Sequence, residues 1–446
     1  MIYQENAITV PNPPAHISLP IKRPTVDVHE PRTTRNWTWI VPGARAVLML
    51  VVLAALLARV VWLTKPAGAL IFDEAYYVNA ARVMLGIDVA AGAPYADQRA
   101  GLDPNREHPP LGKALIAGSM RVFGDDALGW RLPSVVAGMA SIGLLYGIVR
   151  AGGGDRWLGT LAAGLLAFDN LALVHSRIGS LDMMLVGFLM LGAWCALRGW
   201  PIAAGIGFAL AALVKINGFY GLAALVLFEL VRSAWAWRSG HKPLPHLRTA
   251  VLVIVGCVPV WFAGLWLLDL RLSVYDTPWA HLQYILQYGL SLTRASGPLG
   301  QESYPWQWLL NEAQMTYLRT DQTVMANDQV VASQALIYFR GAMNPFIITA
   351  APLGLSWAVW RAWRCRDPLA LWVVVWVLAT YAPFFPLAML QHRVSYIFYF
   401  LPTLPAVVVG VAQLVRQSGL PRLVQWGYLG GVALGFVAYF PFRAMV

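Results

Sequence analysis

Apolar residues in this chain come in long unbroken runs separated by polar stretches, rather than in alternating or short amphipathic patterns. The first run covers 44–63. Others follow at about 132–149, 158–174, 183–197, 201–214, 218–231, 249–268, 345–360, 369–388, 394–414 and 423–440. A bilayer core takes roughly 20 apolar residues of helix, so the pattern predicts an all-α polytopic membrane protein with about eleven transmembrane helices. The run at 201–214 is short and is followed at once by Lys215-Ile216-Asn217-Gly218, which makes the fifth and sixth spans a tight hairpin. The segment Leu111–Phe123 is too short and too charged to cross and is expected at the interface.

Lys and Arg in the short loops set the orientation. With the N-terminus inside, the inner loops carry Arg150, Arg156, Arg198, Arg232, Arg238, Lys242, Arg248, Arg361, Arg364, Arg366, Arg416 and Arg422, against Arg177, Lys215 and Arg393 outside. Residues 1–43 are polar and proline-rich, without helical period, and are expected to form a flexible cytoplasmic tail. A membrane domain then covers 44–440, with two long outer loops at 64–131 and 269–344 that carry interfacial helices, and a short outer C-terminus at 441–446. Beyond the tail, Asp155, Glu229 and Asp367 are the acids on the inner side. The rest are outside, so the outer face is where chemistry is sought.

Composition sharpens this picture. Of 446 residues, 58% are hydrophobic and 12% are charged, where a soluble domain has about 25% charged residues. Mean hydropathy is +0.56. A soluble enzyme is excluded. The net charge of +11 would suggest nucleic acid in a soluble chain, but here the basic residues sit between apolar runs, as membrane topology requires. Cys195, Cys257 and Cys365 lie far apart in or beside apolar runs and read as buried free thiols, not as a disulfide or zinc framework.

The first outer loop opens with Phe72-Asp73-Glu74. Two carboxylates at the edge of the hydrocarbon are costly unless hydrated, paired or protonated. Partial desolvation would raise a carboxyl pKa and suit a general base. The loop ends with His108-Pro109-Pro110-Leu111-Gly112-Lys113, where the proline pair fixes an extended entry into a helix. Arg177 and Asp182 lie between the third and fourth spans, either as an ion pair capping the helix ends or as a cation facing a phosphate and oriented by the acid. Lys215 snorkels or faces the same phosphate, and Arg393 anchors the tenth span or does likewise. The aromatics of Ser303-Tyr304-Pro305-Trp306-Gln307-Trp308 suit a headgroup layer. There is no P-loop, HExxH or GxSxG. A lipid-linked sugar transporter would carry ionisable groups near mid-membrane and internal repeats, and a membrane scaffold would not need these groups on one face.

Taken in order, Phe72-Asp73-Glu74, His108 to Lys113, Gly129-Trp130-Arg131-Leu132-Pro133, Ser176-Arg177 with Leu181-Asp182, and Lys215 to Gly218 resemble the protein O-mannosyltransferase family. These are polyprenyl-phosphate-sugar-dependent glycosyltransferases of the C-type superfamily, here of prokaryotic type. A weaker likeness runs through Ser303–Trp308, Gly341–Pro345 and Arg393–Pro402. The resemblance implies a phospholipid-carrier-dependent mannosyltransferase of the cell membrane. It would invert configuration while moving mannose from a polyprenyl-phosphate donor to a hydroxyl of protein Ser or Thr on the outer face. A lipid or glycan acceptor stays open. Asp73 would be the catalytic base with Glu74 its orienter or acceptor contact, and Arg177, His108, Arg393 and Lys215 would face the donor phosphate. Asp182, holding Arg177, with Lys113 and Arg131 would support them. Beyond the lipid-linked donor no cofactor is implied, and a divalent metal is an open question. The partners expected are the polyprenyl-phosphate sugar, an acceptor protein or lipid, and membrane lipids, with no nucleic acid. A sister group that transfers aminoarabinose to lipid A carries Lys where this chain has His108, which favours the mannosyltransferase side.

Overall fold

The computed structural model describes residues 43–273, 275–326 and 329–443. The expected tail at 1–43 therefore lies, apart from Gly43, outside the described residues, as do 444–446. The chain forms helices α1 (Ala44–Val60), α2 (Glu74–Leu85), α3 (Leu111–Phe123), α4 (Ala127–Ala151), α5 (Arg156–Ala167), α6 (Asn170–His175), α7 (Leu181–Leu197), α8 (Pro201–Val214) and α9 (Phe219–Arg238). After them come α10 (Leu244–Leu272), α11 (Pro278–Ser291), α12 (Pro305–Leu309), α13 (Pro345–Cys365), α14 (Pro368–Tyr381), α15 (Phe384–Gln391), α16 (Leu404–Gln417) and α17 (Arg422–Ala438). Every apolar run of the sequence becomes a helix or a broken helix. Among the described residues four are, by length and composition, long and apolar enough to cross a membrane: Ala127–Ala151, Ile216–Arg238, Leu244–Leu272 and Pro368–Gln391. Leu181–Leu197, Pro201–Val214 and Leu404–Gln417 are shorter apolar helices.

Two breaks have clear causes. The run at 158–174 divides at Phe168-Asp169, where the Asp169 carboxylate accepts from the Ala172 N–H at 3.0 Å and the Asn344 N–H at 2.9 Å. The Asn344 amide donates in turn to the Phe168 carbonyl at 3.2 Å and the Val432 carbonyl at 2.9 Å. Side chains thus satisfy backbone groups that the broken helix leaves over, as an apolar surrounding demands. The run at 394–414 is interrupted by a 3₁₀ turn at Ile397–Phe400, and Pro402 and Pro405 restart it as α16.

The bundle is tight where glycines meet backbone. A Cβ on Gly205 of α8 would sit 2.4 Å from the Val253 carbonyl oxygen, and one on Gly207 would sit 2.7 Å from the Gly192 nitrogen. Small residues let α8 wedge between α7 and α10 at near backbone contact. This wedge carries Lys215 at the C-terminal end of α8.

The second long loop departs from the all-α expectation. After its helices α11 and α12 comes an antiparallel hairpin of β1 (Met315–Ala326) and β2 (Gln329–Gly341), which leads into α13. Thr316, Tyr317, Thr320, Thr323, Ile337, Tyr338 and Phe339 are among the β-branched and aromatic residues that favour a pleated surface. The sheet continues on the far side of β2, where the Tyr338 N–H donates to the Pro441 carbonyl at 2.7 Å and the Arg443 N–H to the Leu336 carbonyl at 2.9 Å. Cys195 and Cys257 are buried free thiols, whereas Cys365, at the end of α13, is exposed.

Candidate active site

Asp73 and Glu74 stand at the N-terminus of α2. Phe72, just before them, takes a left-handed backbone with φ 55°, so the chain turns sharply into the helix and the two carboxylates diverge.

Glu74 is fully buried. Its Oε1 accepts from Arg131 Nε at 2.8 Å and the Gly179 N–H at 2.7 Å. Its Oε2 accepts from Arg131 Nη2 at 3.0 Å and the Ile71 N–H at 2.7 Å. Arg131, equally buried, also donates to the carbonyls of Leu63, Lys65 and Ala69. This pair ties the first outer loop to α4 and to the α6–α7 turn. The expected acceptor contact of Glu74 is corrected on this ground, since its oxygens are engaged inside the protein.

Asp73 is half-buried and, among the described residues, has no cation in direct contact. The Tyr77 hydroxyl, one helical turn on, lies 3.5 Å from its Oδ2. Burial pushes the Asp73 carboxyl up to about 7, with the Lys215 charge pulling it back and the Asp182 charge pushing it further. Lys215 is buried and held by Asp182 at 2.7 Å, with its ammonium 5.3 Å from the Phe398 ring and 5.9 Å from the Tyr399 ring. Asp182 Oδ2 has no hydrogen-bond partner and lies 3.7 Å from His175 Nδ1.

Burial, with Lys215 and Lys113 nearby, pushes the His108 imidazole well below its ordinary pKa. Its Nδ1 is buried without a partner. Its carbonyl accepts from Lys113 Nζ at 2.8 Å. Lys113 also binds Asp103 at 2.7 Å and the Asn105 carbonyl, so it folds the end of the loop. The second long loop braces the same segment, because the His281 ring spans the Asp269 carboxylate and the Arg106 carbonyl, each at 2.9 Å. Arg393 adds its charge to the field at His108 and Tyr399. It is half-buried and forms no ion pair among the described residues.

The charge of Lys215, with Asp182 behind it, thus acts on both Asp73 and His108, and that of Arg393 on His108. Arg177 stands apart. It is buried, donates to the carbonyls of Ala58 and, at 2.6 Å, Val61 at the end of α1, and lies 5.2 Å from the Phe442 ring. It caps a helix C-terminus. The expected Arg177–Asp182 pairing is corrected, because Asp182 belongs to Lys215. Tyr77, His175 and Tyr317 are site neighbours that the sequence reading assigned no role. The spacing of four from Asp73 would have pointed to Tyr77, whereas Tyr317 lies too far along the chain for any such signal. Among the described residues no three His, Cys, Asp or Glu side chains are grouped so as to hold a metal ion.

Residues 107–262 match the family model of dolichyl-phosphate-mannose-protein mannosyltransferases. The polyprenol-phosphate-mannose–protein mannosyltransferase of Corynebacterium glutamicum is 26% identical over 453 residues, covering 84% of this chain and 85% of that protein. Its Mycobacterium tuberculosis counterpart is 25% identical over 441 residues, covering 84% and 80%. The chain is a membrane glycosyltransferase related to the protein O-mannosyltransferases. Its fold agrees. The S. cerevisiae Pmt1–Pmt2 complex bound to the sugar donor superposes with a TM-score of 0.67 at 11% identity, covering 91% of this chain and 90% of that one. ArnT from Cupriavidus metallidurans gives 0.55 at 21% identity, covering 88% of this chain, which spans 63% of that protein's length.

Proposed function

We propose that this glycosyltransferase moves mannose, with inversion, from a polyprenyl-phosphate donor to an acceptor hydroxyl of protein Ser or Thr. The observation that carries the reading is Asp73, a carboxylate with no ion-pair partner in contact among the described residues, in the field of Lys215, with His108 in the fields of Lys215 and Arg393. The donor and acceptor classes follow the names of the relatives. In the reaction the Asp73 carboxylate takes the acceptor hydroxyl proton while that oxygen attacks the sugar C1 on the face opposite the phosphate. The C1–O bond to phosphate breaks, and its electron pair stays on the phosphate oxygen. Arg393 and Lys215 stabilise the charge that develops there, and neutral His108 contributes a hydrogen bond rather than a charge.

The topology belongs to the same proposal. Residues 44–440 form one membrane domain of about eleven spans, counting the broken helices α5–α6 and α14–α15 as one span each. The N-terminus is cytoplasmic and the loops at 64–131 and 269–344 face outward from the plasma membrane. The helix α3, at 13 residues, is about 20 Å long and lies at the interface.

The test is reconstitution of the full chain in liposomes with labelled polyprenyl-phosphate mannose, a Ser/Thr peptide and a lipid extract of the host. Label on the peptide is the expected result. Label on lipid alone moves the acceptor and keeps the chemistry. No label on either overturns the reading.

A further inference from the structure

The hairpin reaches the catalytic acid through one side chain. Tyr317, near the start of β1, is buried, and its ring stacks on Phe72 with centroids 4.2 Å apart and planes 18° apart. Phe398 meets the same Phe72 ring edge-on at 5.5 Å. Phe72 is the residue that holds φ 55° immediately before Asp73. A bulky residue keeps a left-handed backbone only where its surroundings enforce it. The stack supplies that enforcement, so the direction of Asp73 depends on the second long loop.

Tyr317 is itself fixed. Its hydroxyl lies 2.9 Å from His175 Nε2, and His175 Nδ1 lies 3.2 Å from the Ser180 hydroxyl and 3.7 Å from Asp182, the partner of Lys215. Gly341, opposite Met315 in the hairpin, leaves the space that the phenol occupies. A Cβ there would sit 2.4 Å from the Tyr317 hydroxyl and 2.5 Å from its Cζ.

We propose that Tyr317, by stacking on Phe72, is the positioning residue that aims Asp73 and makes turnover depend on the seating of the β1–β2 hairpin. This rests on the reading of Asp73 as the base. The hairpin lies in chain order between α12 and α13, so whatever shifts its Tyr317 end is felt at Asp73.

The experiment compares wild type, Tyr317→Phe, Tyr317→Ala, Phe72→Ala, the double alanine variant and Gly341→Ala as full-length protein in liposomes. It uses polyprenyl-phosphate mannose and the acceptor that wild type accepts. Misaiming a reacting group by about 1 Å costs on the order of a hundredfold in rate. Tyr317→Ala is therefore expected to lose about that much kcat with the donor KM little changed. Tyr317→Phe, which keeps the stack, is expected to retain most of kcat. Gly341→Ala, which displaces the ring without deleting it, is expected to lose kcat as well. The double alanine variant should be no slower than its worse single parent, because both remove one contact. A Tyr317→Ala or Gly341→Ala enzyme with wild-type kcat overturns the proposal, as do losses that multiply in the double variant. The thermal unfolding of the same variants in detergent needs no turnover. Strictly additive shifts for Phe72→Ala and Tyr317→Ala would overturn the contact itself, whereas a silent wild type would count against the transferase reading alone.

Discussion

On one side of the Asp73–Glu74 peptide lies a sealed ion pair, and on the other an open one. Glu74 accepts from Arg131 and from two backbone N–H groups, and both partners are fully buried. Asp73 has a distant tyrosine hydroxyl and a cation, Lys215, that is already bound to another acid. The two carboxylates have the same charge and the same loop, yet one is spent on structure and the other is kept available. The arginines divide in the same way. Arg131 and Arg177 are consumed by carbonyls at the ends of the first loop and of α1, while Arg393 has no carboxylate to neutralise it among the described residues. A buried pair that is complete holds the fold together, and a site that is incomplete invites a substrate to complete it.

Breaking the sealed pair has the largest expected effect. Arg131→Leu leaves the Glu74 charge buried and uncompensated, which costs about 3–5 kcal/mol. The expected outcome is loss of folded protein, read as yield and monodispersity on size exclusion in detergent. Restoration of yield by adding Glu74→Gln to Arg131→Leu would show that the stranded charge was the cause. Next is Arg393→Met. Removing one preorganised group that stabilises developing charge costs about 10²–10³ in kcat, and here the fold should survive, since Arg393 anchors no ion pair. Thermal unfolding beside kcat checks that division.

The helices and the residues of this comparison were legible in the sequence. The long apolar runs placed the helices because each run, even where it breaks, must satisfy its backbone internally. The order Phe72-Asp73-Glu74, His108, Arg131, Asp182 and Lys215 singled out residues at or near the ends of those helices. The partner choices were not legible. Arg177 and Asp182 are five residues apart across a turn, which suggested a pair, but the α1 C-terminus competes for Arg177 and Lys215 for Asp182. Both competitors lie far off in sequence. The hairpin was hidden for a similar reason. Its segment is too polar and too short in apolar runs to signal a span, and its strand character rests on β-branched and aromatic residues spread through a loop.

A smaller effect sharpens the open side of the comparison. With the Asp73 carboxyl up at about 7, the base is protonated and idle in acid and becomes available as pH rises through that value. The kcat/KM profile is therefore expected to climb to a plateau above about pH 7, with one proton lost. Lys215→Met removes the charge that favours the carboxylate, so the limb should move to higher pH. A limb that stays put or moves down would contradict the electrostatic account. Smallest is Arg177→Lys. It loses a fork that caps α1 and a ring contact at 5.2 Å. A helix C-terminal cation is worth about 0.3–1 kcal/mol, so a modest fall in melting temperature with kcat unchanged is expected.

The central claim is that adjacent carboxylates have separate tasks, and Asp73→Asn set beside Glu74→Gln tests it most directly. Folded yield and kcat for transfer from polyprenyl-phosphate mannose would be measured for both. The account expects Asp73→Asn to fold like wild type and lose about 10²–10⁴ in kcat, the share of a general base. It expects Glu74→Gln to fold poorly, with turnover per folded molecule reduced far less. An Asp73→Asn enzyme that turns over normally, or a well-folded Glu74→Gln enzyme that does not turn over, would contradict it.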